Sequence, residues 1–443
     1  MRIKYYSLTL IVLGLLLVGC ANENGGDGSE GEAKNLEGEK VTIAVTEGNI
    51  GQFNAWEARS EQFTEETGIE VEFIGIPYDN LLDRITTEGI SGETTFDLVT
   101  YLDVMGPSIQ QFLEPLDDYA EEGFFDRFTD STVELSTFND QIYSVPLRAN
   151  AQVMFYRKDI FENLGLEPPE TWEEMEEVGE KITSETDMSA ITPYYQAGNN
   201  GQNLYMWSSY LWSNNGDLFD KNMKPTFNSD EGLEATERYI NLLRSGLAPE
   251  GSVQFGEQDA RTHFKQGRSA MWIGWWWVYS DFNAGDGIEE VLGNVGFTTV
   301  PSWEGKEKVS AVSTFPLGMM ESSQNKEAAW EFMKWLSEPE LEKSIVMDSL
   351  NEEVPQEQFS TDIVQKENLR DEELNELGDN LFNIGGDSFE NAKTLPSIPE
   401  WPQISDILST AISDMAVGSD VEETLDKAAS DVESLLEEEG YYE

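Results

Sequence analysis

Two kinds of cluster stand out for what their side chains can do. Trp275, Trp276 and Trp277 run consecutively and Tyr279 follows them. Between Met188 and Asp220, Tyr194, Tyr195, Tyr205, Trp207, Tyr210 and Trp212 interleave with Gln196, Asn199, Asn200, Gln202, Asn203, Asn214 and Asn215. Flat aromatic faces beside planar amides hold a polar molecule by contact and hydrogen bonding, with no covalent step. Covalent chemistry has little to work with. A single Cys and a single His exclude a disulfide framework, a Cys-based zinc site, a multi-His metal centre and any second imidazole. Acidic neighbours such as Asp117-Asp118 and Glu173-Glu174 offer the acid and base of a glycosidase, which needs carboxyls ~5 to ~9.5 Å apart across a cleft. With 86 Asp and Glu in the chain, such pairs arise by chance and read as a solvated face. His263 reads as a helix residue. No catalytic residue, metal site or cofactor is expected.

The chain that must position these clusters is large and acidic. At 443 residues it exceeds the size at which one hydrophobic core stops growing, so two domains are expected. A hydrophobic content of 39% with 11% aromatics marks it as globular. The net charge of −59 repels phosphate backbones and anionic lipid, which excludes nucleic acid as a partner. Arg2 and Lys4, the apolar run Leu8 to Val18 and small Gly19 have the layout of a secretory signal over residues 1–19. Leu17-Val18-Gly19-Cys20 resembles a bacterial lipobox, which implies a diacylated Cys20 at the mature amino terminus. Residues 20–40, rich in Gly, Asn and acids, read as a flexible linker between membrane and domain. Acidity spread along the rest of the chain predicts adaptation to high salt, where screening shortens the reach of carboxylate repulsion.

Periodicity places the elements. Val41 to Val45, Ile69 to Ile76 and Phe96 to Tyr101 read as strands, with helices over Phe53 to Thr67 and Leu81 to Gly89 between them. This alternation predicts an α/β domain with a largely parallel sheet and functional residues just after its strands. Two extended runs, Tyr143 to Pro146 and Gln152 to Tyr156, precede a helix opened by Thr171 as N-cap with Glu174 three residues on. Further helices are expected over Glu231 to Ser245, Ala260 to Gln266, Lys326 to Ser337 and Val421 to Glu438, and strands over Ser269 to Ile273 and Val295 to Val300.

Four segments in order, Phe63 to Val71 (FTEETGIEV), Pro169 to Glu174 (PETWEE), Gly267 to Met271 (GRSAM) with tryptophans after it, and Asn325 to Phe332 (NKEAAWEF), resemble the extracellular solute-binding proteins of sugar ABC importers. The maltose-binding proteins are their best-known members. The resemblance runs from about Val41 to the C-terminus, where Leu395 to Pro399 also fits. It implies an α/β, two-lobed periplasmic-binding-protein-like fold with hinge crossings, closing on a sugar or oligosaccharide held between the lobes. The lobes would be 41–147 plus 313–360 and 148–312 plus 361–443. Partners implied are the transmembrane subunits of an ABC permease and the membrane, through the lipid anchor on its extracytoplasmic face. A monomer is expected.

The resemblance also implies site residues. The tryptophan shortly after the Ala-Met strand stacks on the sugar in this family; counting from Gly267 gives Trp277, and the commoner Gly-x-Trp form gives Trp276. On an extended segment Trp275 and Trp277 share a side, so at least one of the three packs into core. Tyr101 and Asp103 follow the third strand, where relatives place an aromatic and a polar residue, and Glu47 and Asn49 follow the first. Arg148 and Asn150 lie at the first crossing, and Asn150 matches a position where a relative carries a sugar-contacting carboxylate. Gln202, Tyr205, Trp207 and Trp212 match a polar and aromatic stretch that contributes from the C-lobe, while Trp401 and Asp406 lie near the last crossing. The rival reading of the tryptophan cluster is an aromatic cage for a quaternary ammonium osmolyte; length and motif order favour sugar.

Overall fold

Strand β1 (Lys40–Thr46) is buried at every residue from Val41 onward, as befits a strand covered on both faces. The computed structural model describes residues 36–47, 50–198, 201–279, 282 and 288–442. The expected leader, Cys20, most of the linker, Asn49, Asn199 and Asn200 lie outside the described residues. Beside β1 lie β2 (Glu70–Ile76) and β3 (Leu98–Thr100), both parallel to it, with Ile43 opposite Phe73 on one side and Leu98 on the other. Helix Gly51–Thr67 turns Phe53, Trp56 and Phe63 inward, and Phe63 meets Phe332 of helix Lys326–Leu336 edge-on at 5.0 Å. The first helix stops where expected. Gly68 adopts φ 76°, a left-handed conformation open to glycine, and its N–H caps the Thr64 carbonyl.

After the small hairpin of β4 (Thr137–Phe138) and β5 (Gln141–Ile142), strand β6 (Ser144–Val145) belongs to this first sheet. The next strand, β7 (Ala149–Arg157), is the centre of a second. β8 (Ser189–Ile191) runs parallel to β9 (Ser269–Trp275); β9 and β10 (Val295–Thr299) flank β7 antiparallel. Helix Trp172–Glu185 covers this sheet and opens with the Thr171/Glu174 capping box read from the sequence. The interleaved stretch, given no element by periodicity, is helix Gln202–Ser213, buried from Asn203 to Ser213. Its Tyr210 stacks on Trp172 at 3.7 Å, and Tyr195 and Tyr239 extend the aromatic layer.

The chain is two-lobed, one lobe around each sheet, and from Leu36 the lobes form one compact unit. It passes between sheets at 146–148 and returns through β11 (Val312–Thr314), which pairs with β7, and β12 (Leu317–Met319), which pairs with β3 and β6. A third passage, 359–365, links helix Pro339–Leu350 to helix Leu381–Glu390, which packs on β7 and β10. Among the described residues no helix is long and apolar enough to cross a membrane.

Candidate ligand-binding site

All three passages between lobes line one cavity of about 590 Å³, within the ~300–1,000 Å³ usual for small-ligand pockets. The first passage supplies Arg148 and Asn150, the second Ser313 and Phe315, the third Ser360 and Asp362. The members of each pair stand two residues apart in sequence, and both line the cavity. The ladder sets the first two pairs together: Asn150 is opposite Ser313, and the Phe315 N–H donates to the Arg148 carbonyl at 2.8 Å. The first lobe adds Gln52 from the start of helix Gly51–Thr67, and the second adds Gln202, Trp275 and Trp277. Gly51 is small of necessity, because a Cβ there would collide with the carbonyl of Phe359.

At the centre Arg148 Nε donates to Asp362 Oδ2 at 3.0 Å, and both side chains are buried. The Arg148 guanidinium lies 4.8 Å from the Phe315 ring centroid and 5.9 Å from those of Phe53 and Trp277. Ser360 Oγ lies within hydrogen-bond reach of Gln52 Oε1 and of Asp362 Oδ2. Thr361 Oγ1 donates to the Trp277 carbonyl at 3.5 Å, tying the third passage to the second lobe. Burial pushes the Asp362 carboxyl above its ordinary range, against the pull of Arg148 and Ser360. Glu342 braces this segment from behind: its carboxylate accepts from the Val364 N–H at 2.8 Å and from Asn368 Nδ2 at 2.7 Å. Burial raises Glu342 to about 7.

The three consecutive tryptophans separate. Trp275 ends β9, and Trp276 to Val278 form one 3-10 turn. Trp275 and Trp277 line the cavity. Trp275 meets Tyr205 edge-on at 4.9 Å, and Arg261 approaches the Trp277 ring at 4.9 Å. Trp276 turns the other way: its Nε1 donates to the Ala149 carbonyl at 3.0 Å, and its ring packs on Gly385 and edge-on to Phe389.

Of the residues singled out from sequence, Arg148, Asn150, Gln202 and Trp277 line the cavity. Trp276, the alternative that the Gly-x-Trp form gave, lies in the core: it points away from the side that Trp275 and Trp277 share, the division expected of neighbours on an extended segment. Trp207 and Trp212 are buried in the second lobe, Trp207 donating to Thr236 Oγ1 at 2.9 Å, because their helix is buried on every side. Tyr205 sits behind Trp275. Tyr101 is buried and donates to Ser144 Oγ at 2.9 Å. Asp103 is buried at the junction, accepting from the N–H groups of Val104 and Thr314 at 2.9 and 3.1 Å; burial raises it to about 7 against these bonds. Glu47 is exposed at the end of β1, outside the cavity lining. Sequence reasoning missed Gln52, Ser313, Phe315, Ser360 and Asp362, which carry no local motif; Gln52 reaches the cleft from the start of its helix, and the other four are brought there by the passage of their backbone between lobes.

The carboxylate pairs have structural employment. Glu173 pairs with Arg238, Glu174 closes the capping box, and Asp117 accepts from the Ile142 N–H at 3.1 Å. The profile of the bacterial extracellular solute-binding proteins matches residues 47–343 of the chain. The chain belongs to that family. It is a binding protein and not an enzyme. Among solved relatives of this solute-binding protein is an ABC transporter solute-binding protein of Agrobacterium radiobacter in complex with ribitol. It is 25% identical at a TM-score of 0.76, covering 91% of this chain and 100% of that one. A maltose-bound protein of Thermotoga maritima, 24% identical, superposes with a TM-score of 0.76 over 90% of this chain and 100% of its own. The mannitol-binding protein of Pseudomonas aeruginosa is 24% identical over 67% of this chain and 68% of that one.

Proposed function

We propose that this solute-binding protein is the receptor of an ABC importer, capturing a sugar, polyol or oligosaccharide outside the cell and delivering it unaltered to a membrane permease. One observation carries the reading: aromatic faces and hydrogen-bonding side chains from both lobes converge on a single interlobe cavity. That combination suits a molecule with C–H faces and a rim of hydroxyls. The ribitol, maltose and mannitol of its relatives share this chemistry. Closure over the solute removes water from the cleft and strengthens each polar contact there, and reopening releases it, so affinity reflects the balance of two lobe arrangements. The lobes are taken as 41–147 with 313–360 and 148–312 with 361–443.

The test is a thermal-shift screen of the mature protein in high salt against ribitol, D-mannitol, maltose, longer oligosaccharides and glycine betaine. A ligand that binds only the native state raises Tm with its concentration. No shift with any hydroxylated compound would remove the reading. Cys20 is the proposed lipid anchor on the extracytoplasmic face, and the molecule acts there as a monomer. Labelled palmitate should enter the wild-type protein and not Cys20→Ala. The acidic surface is suited to saline surroundings, so Tm should climb as NaCl is raised to molar concentration.

A further inference from the structure

Hydrogen bonds at the centre of the cleft are incomplete in a definite pattern. Asp362 and Asn150 are each 3% exposed and both line the cavity. Asp362 Oδ2 is engaged by Arg148 Nε, but its Oδ1 has no partner among the described residues, and neither has Asn150 Oδ1. Buried acceptors left unmatched destabilise a fold by more than a made bond stabilises it. Two in one cavity therefore call for a ligand that brings two donors. Arg148 supplies the complement: Nε is bound to Asp362, and among the described residues neither Nη nitrogen has a hydrogen-bond acceptor. Its fork of N–H groups is planar and fixed in direction.

Spacing and charge narrow the ligand. Arg148 and Asn150, two residues apart on one extended stretch, stand roughly 7 Å apart on the same side. The Arg148–Asp362 pair presents donors and an acceptor next to one another with no net charge. An anion would meet Asp362 and a cation Arg148.

We infer that Arg148, Asp362 and Asn150 form a clamp for neighbouring hydroxyls of an uncharged polyol or sugar. One hydroxyl accepts from an Nη of Arg148 and donates to Asp362 Oδ1; a nearby hydroxyl donates to Asn150 Oδ1. This rests on the receptor reading and adds the residues that select the ligand. It rejects glycine betaine, which has no O–H or N–H to give either acceptor and would place a cation beside Arg148. Trp277, an indole that would cage such a cation, is already approached by the guanidinium groups of Arg148 and Arg261.

Titration calorimetry on the mature protein with ribitol, D-mannitol, maltose and glycine betaine tests the clamp. Wild type should bind at least one hydroxylated compound and leave glycine betaine unbound. Deoxy analogues of the tightest ligand, each lacking one hydroxyl, should include at least one weakened ~30-fold or more, because buried polar groups then go unmatched. Asp362→Asn should weaken binding by at least ~10-fold and Asn150→Ser by a similar factor, with melting curves reporting whether each variant folds. Deoxy analogues that all bind as tightly as the parent would overturn the clamp, whatever the variants do, and leave the receptor standing. Unchanged affinity in both folded variants would do the same. Glycine betaine binding tighter than every hydroxylated compound would overturn the clamp and its ligand class, and a wild type that binds none of the four would take the receptor reading with it.

Discussion

Helix Gln202–Ser213 buries Trp207 and Trp212 inside the second lobe, whereas the strand end at Trp275 sends two of three indoles to the cleft and one to the core. The side chains are the same; the backbones under them differ. A helix surrounded by protein has no face to spare, and every residue from Asn203 to Ser213 is buried, the polar Asn203, Ser208, Ser209 and Ser213 included. A strand running into a single 3-10 turn changes direction within two residues, so consecutive indoles diverge. The two regions meet at the helix start, where Gln202 lines the same cavity and Tyr205 makes an edge contact with Trp275. Aromatic residues mixed with amides thus mark a binding surface only where the backbone periodicity leaves one side open.

The comparison breaks most visibly at Trp276. Trp276→Ala removes a buried ring and the bond to the Ala149 carbonyl, and should lower unfolding free energy by ~3–5 kcal/mol in denaturant titration. A loss under ~1 kcal/mol would place the indole outside the core. Trp277→Ala should do the reverse, keeping a cooperative melt while weakening the calorimetric Kd for the best-binding sugar by ~10- to 100-fold, or ~1.4–2.8 kcal/mol.

Asp103 sharpens the contrast between stability and affinity. Its carboxyl is held at about 7 by burial, above its range in the unfolded chain, so the native state binds its proton more tightly. Its contribution is present below pH ~4 and is lost as pH rises toward 7. Melting scans at pH 5 and pH 8 should show Asp103→Asn reducing the drop in Tm by about 2 °C. Glu342, raised in the same way, leaves part of the slope in place. An unchanged slope would show that Asp103 ionises normally. Smallest of all, Trp207→Phe keeps an aromatic side chain and deletes the indole N–H bond to Thr236, at ~1 kcal/mol in stability with ligand affinity unaltered. A tenfold weaker Kd would move the helix into the site.

Local signals explain which features were legible beforehand. Helix Val421–Glu438, the capping box at Thr171 and the stop at Gly68 depend on neighbours within a few positions, and the sequence reading placed them well. Strand β3 shrank to three residues, and helix Gln202–Ser213 escaped notice because uniform burial erases amphipathic periodicity. Arg148 and Asn150 were found because a crossing was expected there. Asp362, 214 residues from its partner Arg148, meets it only through the folded path of the chain, and no short-range pattern encodes that.

The three passages that tether the lobes also carry Arg148, Asn150, Ser313, Phe315, Ser360 and Asp362, six of the groups facing the cavity. A pivot built this way is itself the sensor: any bend changes the grip, and any new guest alters the resting angle. Swapping a surface loop would therefore not retarget such a receptor. Selectivity and mobility would have to change together, within the same few residues, which limits the routes by which this molecule can drift toward a different nutrient.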